Sequence, residues 1–104
     1  MPDLVLIDDD DLIHAAWDLV AETRGDDLVH VTDPDTFPAD SISKETPIFV
    51  DYSLKGGRKG TDVAKDLYDR GFRKLYLTTG MVLDPASVPT FVMGVVGKGY
   101  PPKK

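Results

Sequence analysis

The run Ile48-Phe49-Val50-Asp51, entered through Pro47 and left through Tyr52-Ser53-Leu54, constrains this chain more than any other stretch. Three apolar residues, two of them β-branched, end at a lone carboxylate. An apolar run this short, with no polar residue in alternate places, is read as a strand buried on both faces, the habit of a central parallel strand. Asp51 then falls at the mouth of the sheet, where open α/β folds place their chemistry. On this stretch alone Asp51 is either a nucleophile or a loop-starting residue.

The same pattern recurs along the chain. Leu4-Val5-Leu6-Ile7 is a second continuous apolar run and ends in Asp8-Asp9-Asp10-Asp11. Leu12, Ile13, Ala16, Trp17, Leu19 and Val20 then follow helical spacing with a broad apolar stripe. Asp10 or Asp11 caps that helix and Gly25 stops it. His14 reads as a partly exposed surface residue and His30, within the β-rich run Leu28 to Thr32, as an ordinary sheet residue; neither is given a role. Pro34, Pro38 and Pro47 limit the next segment to a weak helix over Pro34 to Ser43, because proline is tolerated only in a first turn. Thr61 or Asp62 caps a second convincing helix bearing Val63, Ala64, Leu67 and Tyr68, with Gly71 as its stop. Leu75-Tyr76-Leu77 is a fourth strand leading into Thr78-Thr79-Gly80. Pro85 and Pro89 allow at most two helical turns between Met81 and Thr90. Phe91 to Val96 is a fifth strand, ending in Gly97-Lys98-Gly99, and Tyr100-Pro101-Pro102 starts no further helix.

Strands alternating with helices through short connections call for a parallel sheet with helices against it. The 104 residues fit one domain, and the formal net charge of −6 argues against a broad nucleic-acid footprint. With no cysteine, disulfides and thiolate metal sites are excluded. No run is long and apolar enough for a membrane span, and Lys103-Lys104 is too short for a membrane-binding patch, so a cytoplasmic chain is the default expectation. The loop Lys55-Gly56-Gly57-Arg58-Lys59-Gly60 is cationic and glycine-rich, but no GK[ST] closes it as a P-loop.

In a parallel sheet the strand ends share one edge. Asp8 and Asp9, Asp51, Thr78 and Lys98 therefore converge although they lie far apart in sequence. Gathered carboxylates repel and resist ionisation unless cations compensate them. A lysine and a hard divalent ion such as Mg²⁺ provide that compensation. A nucleophilic carboxylate, a metal and a fixed ammonium together are what phosphoryl transfer onto a carboxylate requires. Taken singly, each residue has an ordinary explanation as a helix cap, loop starter, strand end or surface charge.

Taken in order, these positions resemble the receiver domain of two-component response regulators, from Leu4-Val5-Leu6-Ile7-Asp8-Asp9 through Phe49-Val50-Asp51 and Leu77-Thr78-Thr79 to Gly97-Lys98. The resemblance implies a flavodoxin-like three-layer α/β sandwich with a five-stranded parallel sheet in the order 2-1-3-4-5. It implies that Asp51 accepts a phosphoryl group from a phosphohistidine of a histidine kinase or phosphotransfer domain. Asp8, Asp9, Asp51 and the backbone carbonyl of Ser53 would hold Mg²⁺, Thr78 and Lys98 would stabilise the phosphoryl group, and Ser53 and Gly80 would tune its hydrolysis. The alternative is a degenerate receiver-like interaction module that is not phosphorylated.

The chain departs from the family pattern at several points. Gly99 stands where a proline follows the lysine, Lys55 where a proline follows the acceptor by four residues, and Val95 where the last strand carries an aromatic switch residue. The last helix is expected to be missing, so residues 1–104 read as one receiver truncated after its fifth strand. Its loss is expected to expose apolar surface along Leu4 to Ile7 and Phe91 to Val96, to be covered by a second copy or a neighbouring domain. Gly60 to Phe72 and Leu75 to Gly80 look most like receivers at the C-terminal end of hybrid histidine kinases; an independent single-domain regulator is the rival reading.

Overall fold

The computed structural model describes residues 2–54, 59–80 and 83–99. Five parallel strands form one sheet: β1 (Leu4–Ile7), β2 (Leu28–Val31), β3 (Ile48–Asp51), β4 (Leu75–Thr78) and β5 (Gly94–Val96), in the order β2-β1-β3-β4-β5. Among the described residues two α-helices accompany them, α1 (Asp11–Arg24) and α2 (Gly60–Asp69). This is the flavodoxin-like arrangement. From β1 the chain steps outward to β2, then returns past β1 to β3 and continues to β4 on the other side. Right-handed crossovers taken in opposite directions place their helices on opposite faces.

Side-chain alternation confirms the layers. Leu4 and Leu6 of β1 and Phe49 of β3 pack against Trp17 of α1. Val5 and Ile7, Ile48 and Val50, and Leu75 and Leu77 pack with Val63, Ala64 and Leu67 of α2 on the other face. Both faces of the central strands are covered, which is why these runs contain no polar residue. β1 is buried throughout, so the apolar surface expected along Leu4 to Ile7 does not occur: two neighbouring strands and a helix on each face enclose it. Of the run from Phe91 to Val96, Val92 is buried and Met93 is exposed, and only Gly94–Val96 is strand.

Helix α1 begins where Asp10 accepts a hydrogen bond from the Leu12 amide and ends at Gly25 in the left-handed conformation, φ 74°. Its buried face is His14, Trp17 and Ala21, not the broader stripe expected; Leu12 and Leu19 are 79% and 69% exposed. That inward set repeats at i, i+3 and i+7, which is one helix face. Helix α2 is capped by neither Thr61 nor Asp62. It begins one residue earlier at Gly60, behind Lys59, with no side-chain cap. The proline-bearing segments form only single 3₁₀ turns, Pro34–Thr36, Ala39–Ser41 and Pro85–Ser87. Proline lacks the amide that a longer helix would need. Phe37 nevertheless reaches the core and packs edge-to-face on Phe72 at 5.3 Å.

Most of the expected cationic loop at 55–58, Met81, and the final residues 100–104, where the absence of a last helix was expected, lie outside the described residues. Among the described residues no helix is long and apolar enough to cross a membrane.

Candidate functional site

The carboxyl edge of the sheet brings together the strand ends of β1 and β3. Ile7 pairs in register with Val50, so Asp8 and Asp51, the next residues of each strand, leave the sheet side by side. This is the point at which the strand order reverses, the usual place for a crevice in open α/β sheets. The crevice is lined by Asp8, Asp9, Asp10, Asp51, Ser53, Thr79, Gly80 and Lys98.

Asp8, Asp9 and Asp51 each offer a carboxylate oxygen within 4.8 Å of the others. Asp8 is fully buried and Asp51 is 6% exposed. Lys98, just beyond β5, reaches across the edge: its Nζ donates to Asp51 Oδ1 at 2.6 Å and to Asp8 Oδ2 at 2.9 Å. Its peptide bond to Gly99 is trans, and the ammonium still enters the crevice. Asp8 Oδ1 accepts the Asp10 amide at 2.9 Å, and Asp51 Oδ1 also accepts the Ser53 amide at 3.2 Å. Both of these Asp51 bonds fall on Oδ1, and Oδ2 takes part in neither.

Burial raises the Asp51 pKa above its ordinary value, against the lowering pull of the Lys98 and Ser53 bonds; the neighbouring Asp8 charge adds to the rise. For Lys98, burial pulls the pKa down, but its bonds to Asp51 and Asp8 and their charges outweigh it, and the pKa stands above the ordinary lysine value. Among the described residues, the clustered carboxylates outnumber the one ammonium that bridges Asp8 and Asp51. The donor set is oxygen only, suited to a hard divalent cation.

Thr78, from which a hydroxyl is expected, ends β4 directly beside Asp51. Thr78 pairs with Asp51 and Val96 on either side and is fully buried, its Oγ1 without a hydrogen-bond partner. Residues paired in register on neighbouring parallel strands lie on the same face, so Thr78 shares the face of Asp51, and its unpartnered Oγ1 is the hydroxyl beside the acceptor. Thr79, the next residue, lines the crevice. Ser53 and Gly80 both line it.

Three supports were not foreseen. Trp17 on α1 donates its indole N–H to the Lys98 carbonyl at 2.7 Å, fixing the lysine backbone from beneath the sheet. His14 is buried rather than partly exposed, because it lies on the inward face of α1, with Nε2 2.6 Å from the Asp8 carbonyl oxygen. Gly60 presses against the Asp51 loop: a Cβ there would lie 2.1 Å from the Asp51 carbonyl oxygen. A buried Trp and a glycine closing a loop were visible in the sequence, but the partners of each were not.

Comparison with solved structures bears on the fold. The chain superimposes on a CheY-like response regulator receiver domain protein from Methanospirillum hungatei JF-1 with a TM-score of 0.70 and 16% identity, over 96% of this chain and 84% of that one. It matches the response regulator StyR with a TM-score of 0.70 and 12% identity, over 96% of this chain and 52% of that one. The fold is that of CheY-like receivers. This chain spans about half the length of StyR. No family model matches the sequence, and no curated protein does.

Proposed function

We propose that this chain is a phosphoacceptor receiver of two-component signalling, in which Asp51 takes a phosphoryl group from a phosphohistidine on a histidine kinase or phosphotransfer domain. The observation that carries this reading is the single ammonium of Lys98 joining the buried carboxylates of Asp8 and Asp51 at the reversal point of the sheet. Such an ammonium is fixed before any reaction, so it meets developing phosphoryl charge with little reorganisation.

Asp8, Asp9 and Asp51, with the Ser53 backbone carbonyl, are the groups that would hold Mg²⁺. When bound, that ion neutralises charge on the transferred group. Asp51 Oδ2, outside the bonds to Lys98 and Ser53, is the oxygen for attack. An O–P bond forms there while the P–N bond of the phosphohistidine breaks, and its electron pair returns to the imidazole. Lys98 pairs with the phosphoryl oxygens. The hydroxyl role assigned by resemblance to Thr78 is supported by its place in register with Asp51 and by an Oγ1 that has no other partner. Ser53 and Gly80 flank the approach of water and set the hydrolysis rate. The likeness of residues 60–80 to the receivers of hybrid histidine kinases supports a parent chain of that kind in the cytoplasm.

The test is incubation with phosphoramidate and Mg²⁺, followed by intact-mass analysis. One phosphoryl group is expected on the wild type and none on Asp51→Asn. Beryllofluoride with Mg²⁺ should shift amide resonances around Asp51, Thr78 and Lys98. A folded chain that is unmodified and unshifted is a docking module instead, and the phosphoacceptor reading fails.

A further inference from the structure

Beside the acidic crevice, two imidazoles meet in an arrangement that neutral rings alone leave unfinished. His14 on the inner face of α1 and His30 on β2 bring their Nδ1 atoms to 2.8 Å, with ring planes at 63°. The far nitrogen of each ring identifies its tautomer. His14 Nε2 faces the Asp8 carbonyl oxygen, which has no hydrogen to give, so Nε2 carries the proton. His30 Nε2 lies 3.3 Å from the Asp18 carboxylate and carries a proton for the same reason. With both Nε2 atoms protonated, the 2.8 Å Nδ1 contact needs one further cation between the rings, either a shared proton or a metal ion.

We propose that His14 and His30 form a two-nitrogen site for a late first-row divalent cation, of the Cu²⁺ or Ni²⁺ class. Imidazole nitrogens select these ions over Mg²⁺, which prefers the oxygen donors of the crevice. With metal–nitrogen bonds of about 2.0–2.1 Å, two nitrogens at a right angle stand roughly 2.9 Å apart, and at a tetrahedral angle roughly 3.3 Å. The observed 2.8 Å fits the right angle of square-planar and octahedral ions. Each ring also has the outer partner that metal-bound histidines carry, a backbone carbonyl for His14 and a carboxylate for His30. The His30 side chain is 36% exposed, which opens the remaining coordination positions to water. This inference does not depend on phosphorylation of Asp51.

The experiment is calorimetric titration of the tag-free chain with Cu²⁺ or Ni²⁺ in excess Mg²⁺, with parallel NMR of the imidazole nitrogens. The chain has only these two histidines, so the assignment is unambiguous. One equivalent is expected to bind, perturbing both Nδ1 resonances first. His30→Gln, at a half-open position on an edge strand, should abolish binding. Asp18→Asn should weaken it roughly tenfold. Asp9→Asn and Asp51→Asn should leave it intact, which separates this site from the crevice. Equal binding by wild type and His30→Gln overturns the proposal. So does loss of binding in Asp51→Asn, or an unperturbed Nδ1 pair sharing a proton at saturating metal.

Discussion

Replacing Lys98 with methionine keeps much of the side-chain bulk and removes the charge that Asp8 and Asp51 share. Two charge-assisted hydrogen bonds, at 2.6 and 2.9 Å, disappear and leave two buried carboxylates facing each other. Removing one partner of a fully buried ion pair costs about 3–5 kcal/mol. The Lys98 side chain is 29% exposed, so solvent screening brings the expected loss to about 2–3 kcal/mol at pH 7. In a domain of this size that lowers the melting temperature by roughly 10–20 °C.

The pH dependence gives this prediction its sign. The Asp51 pKa is raised in the folded chain above the ordinary 3.8, so between those values the native state binds more protons than the unfolded state. Stability contributed by this group therefore falls as pH rises through that window. Lys98 acts in the other range: its stabilisation is complete below 10.5 and is lost as pH rises through its raised folded value. In Lys98→Met the lowering influence on Asp51 is gone, its window widens upward, and acidification should recover stability. Urea unfolding of both proteins at pH 7 and near pH 4 measures this directly. The gap should shrink on acidification, and Asp51→Asn should restore much of the loss in the double variant. A gap below about 0.5 kcal/mol at pH 7, or one that persists unchanged at low pH, refutes the shared-ammonium account.

Other substitutions probe the supports of the crevice. Gly60→Ala places a Cβ against the Asp51 backbone and should cost about 2–3 kcal/mol in urea unfolding, with slower phosphorylation by phosphoramidate. Thr78→Val replaces a buried hydroxyl that has no partner with a methyl of similar shape, and should raise stability by about 1 kcal/mol in thermal melts. The same substitution should slow phosphorylation by phosphoramidate, because it removes the hydroxyl beside Asp51. Trp17→Phe strips the indole N–H from the Lys98 carbonyl and should cost about 2 kcal/mol by chemical denaturation, with broadened amide resonances at Lys98.

The sequence by itself determined the sheet and the acidic pair at its edge. Unbroken apolar runs, four residues in β1 and three in β3, leave no polar face, so they had to be central strands, and parallel strands end on one edge whatever separates them in sequence. Asp8, Asp51 and Lys98 were legible for that reason. Only the tertiary structure decided that Thr78 stands in register beside Asp51 with a fully buried hydroxyl that has no partner, because register depends on how the strands pair in space. It also decided the buried face of α1. Helical spacing alone admits a stripe containing Leu12 and Leu19, but packing selected the one containing His14 and Trp17, whose polar atoms find the Asp8 and Lys98 carbonyls. Those partners lie 6 and 81 residues away. Such hydrogen bonds depend on where backbone carbonyls meet in space, and every residue has a carbonyl, so residue identity gives no signal of them.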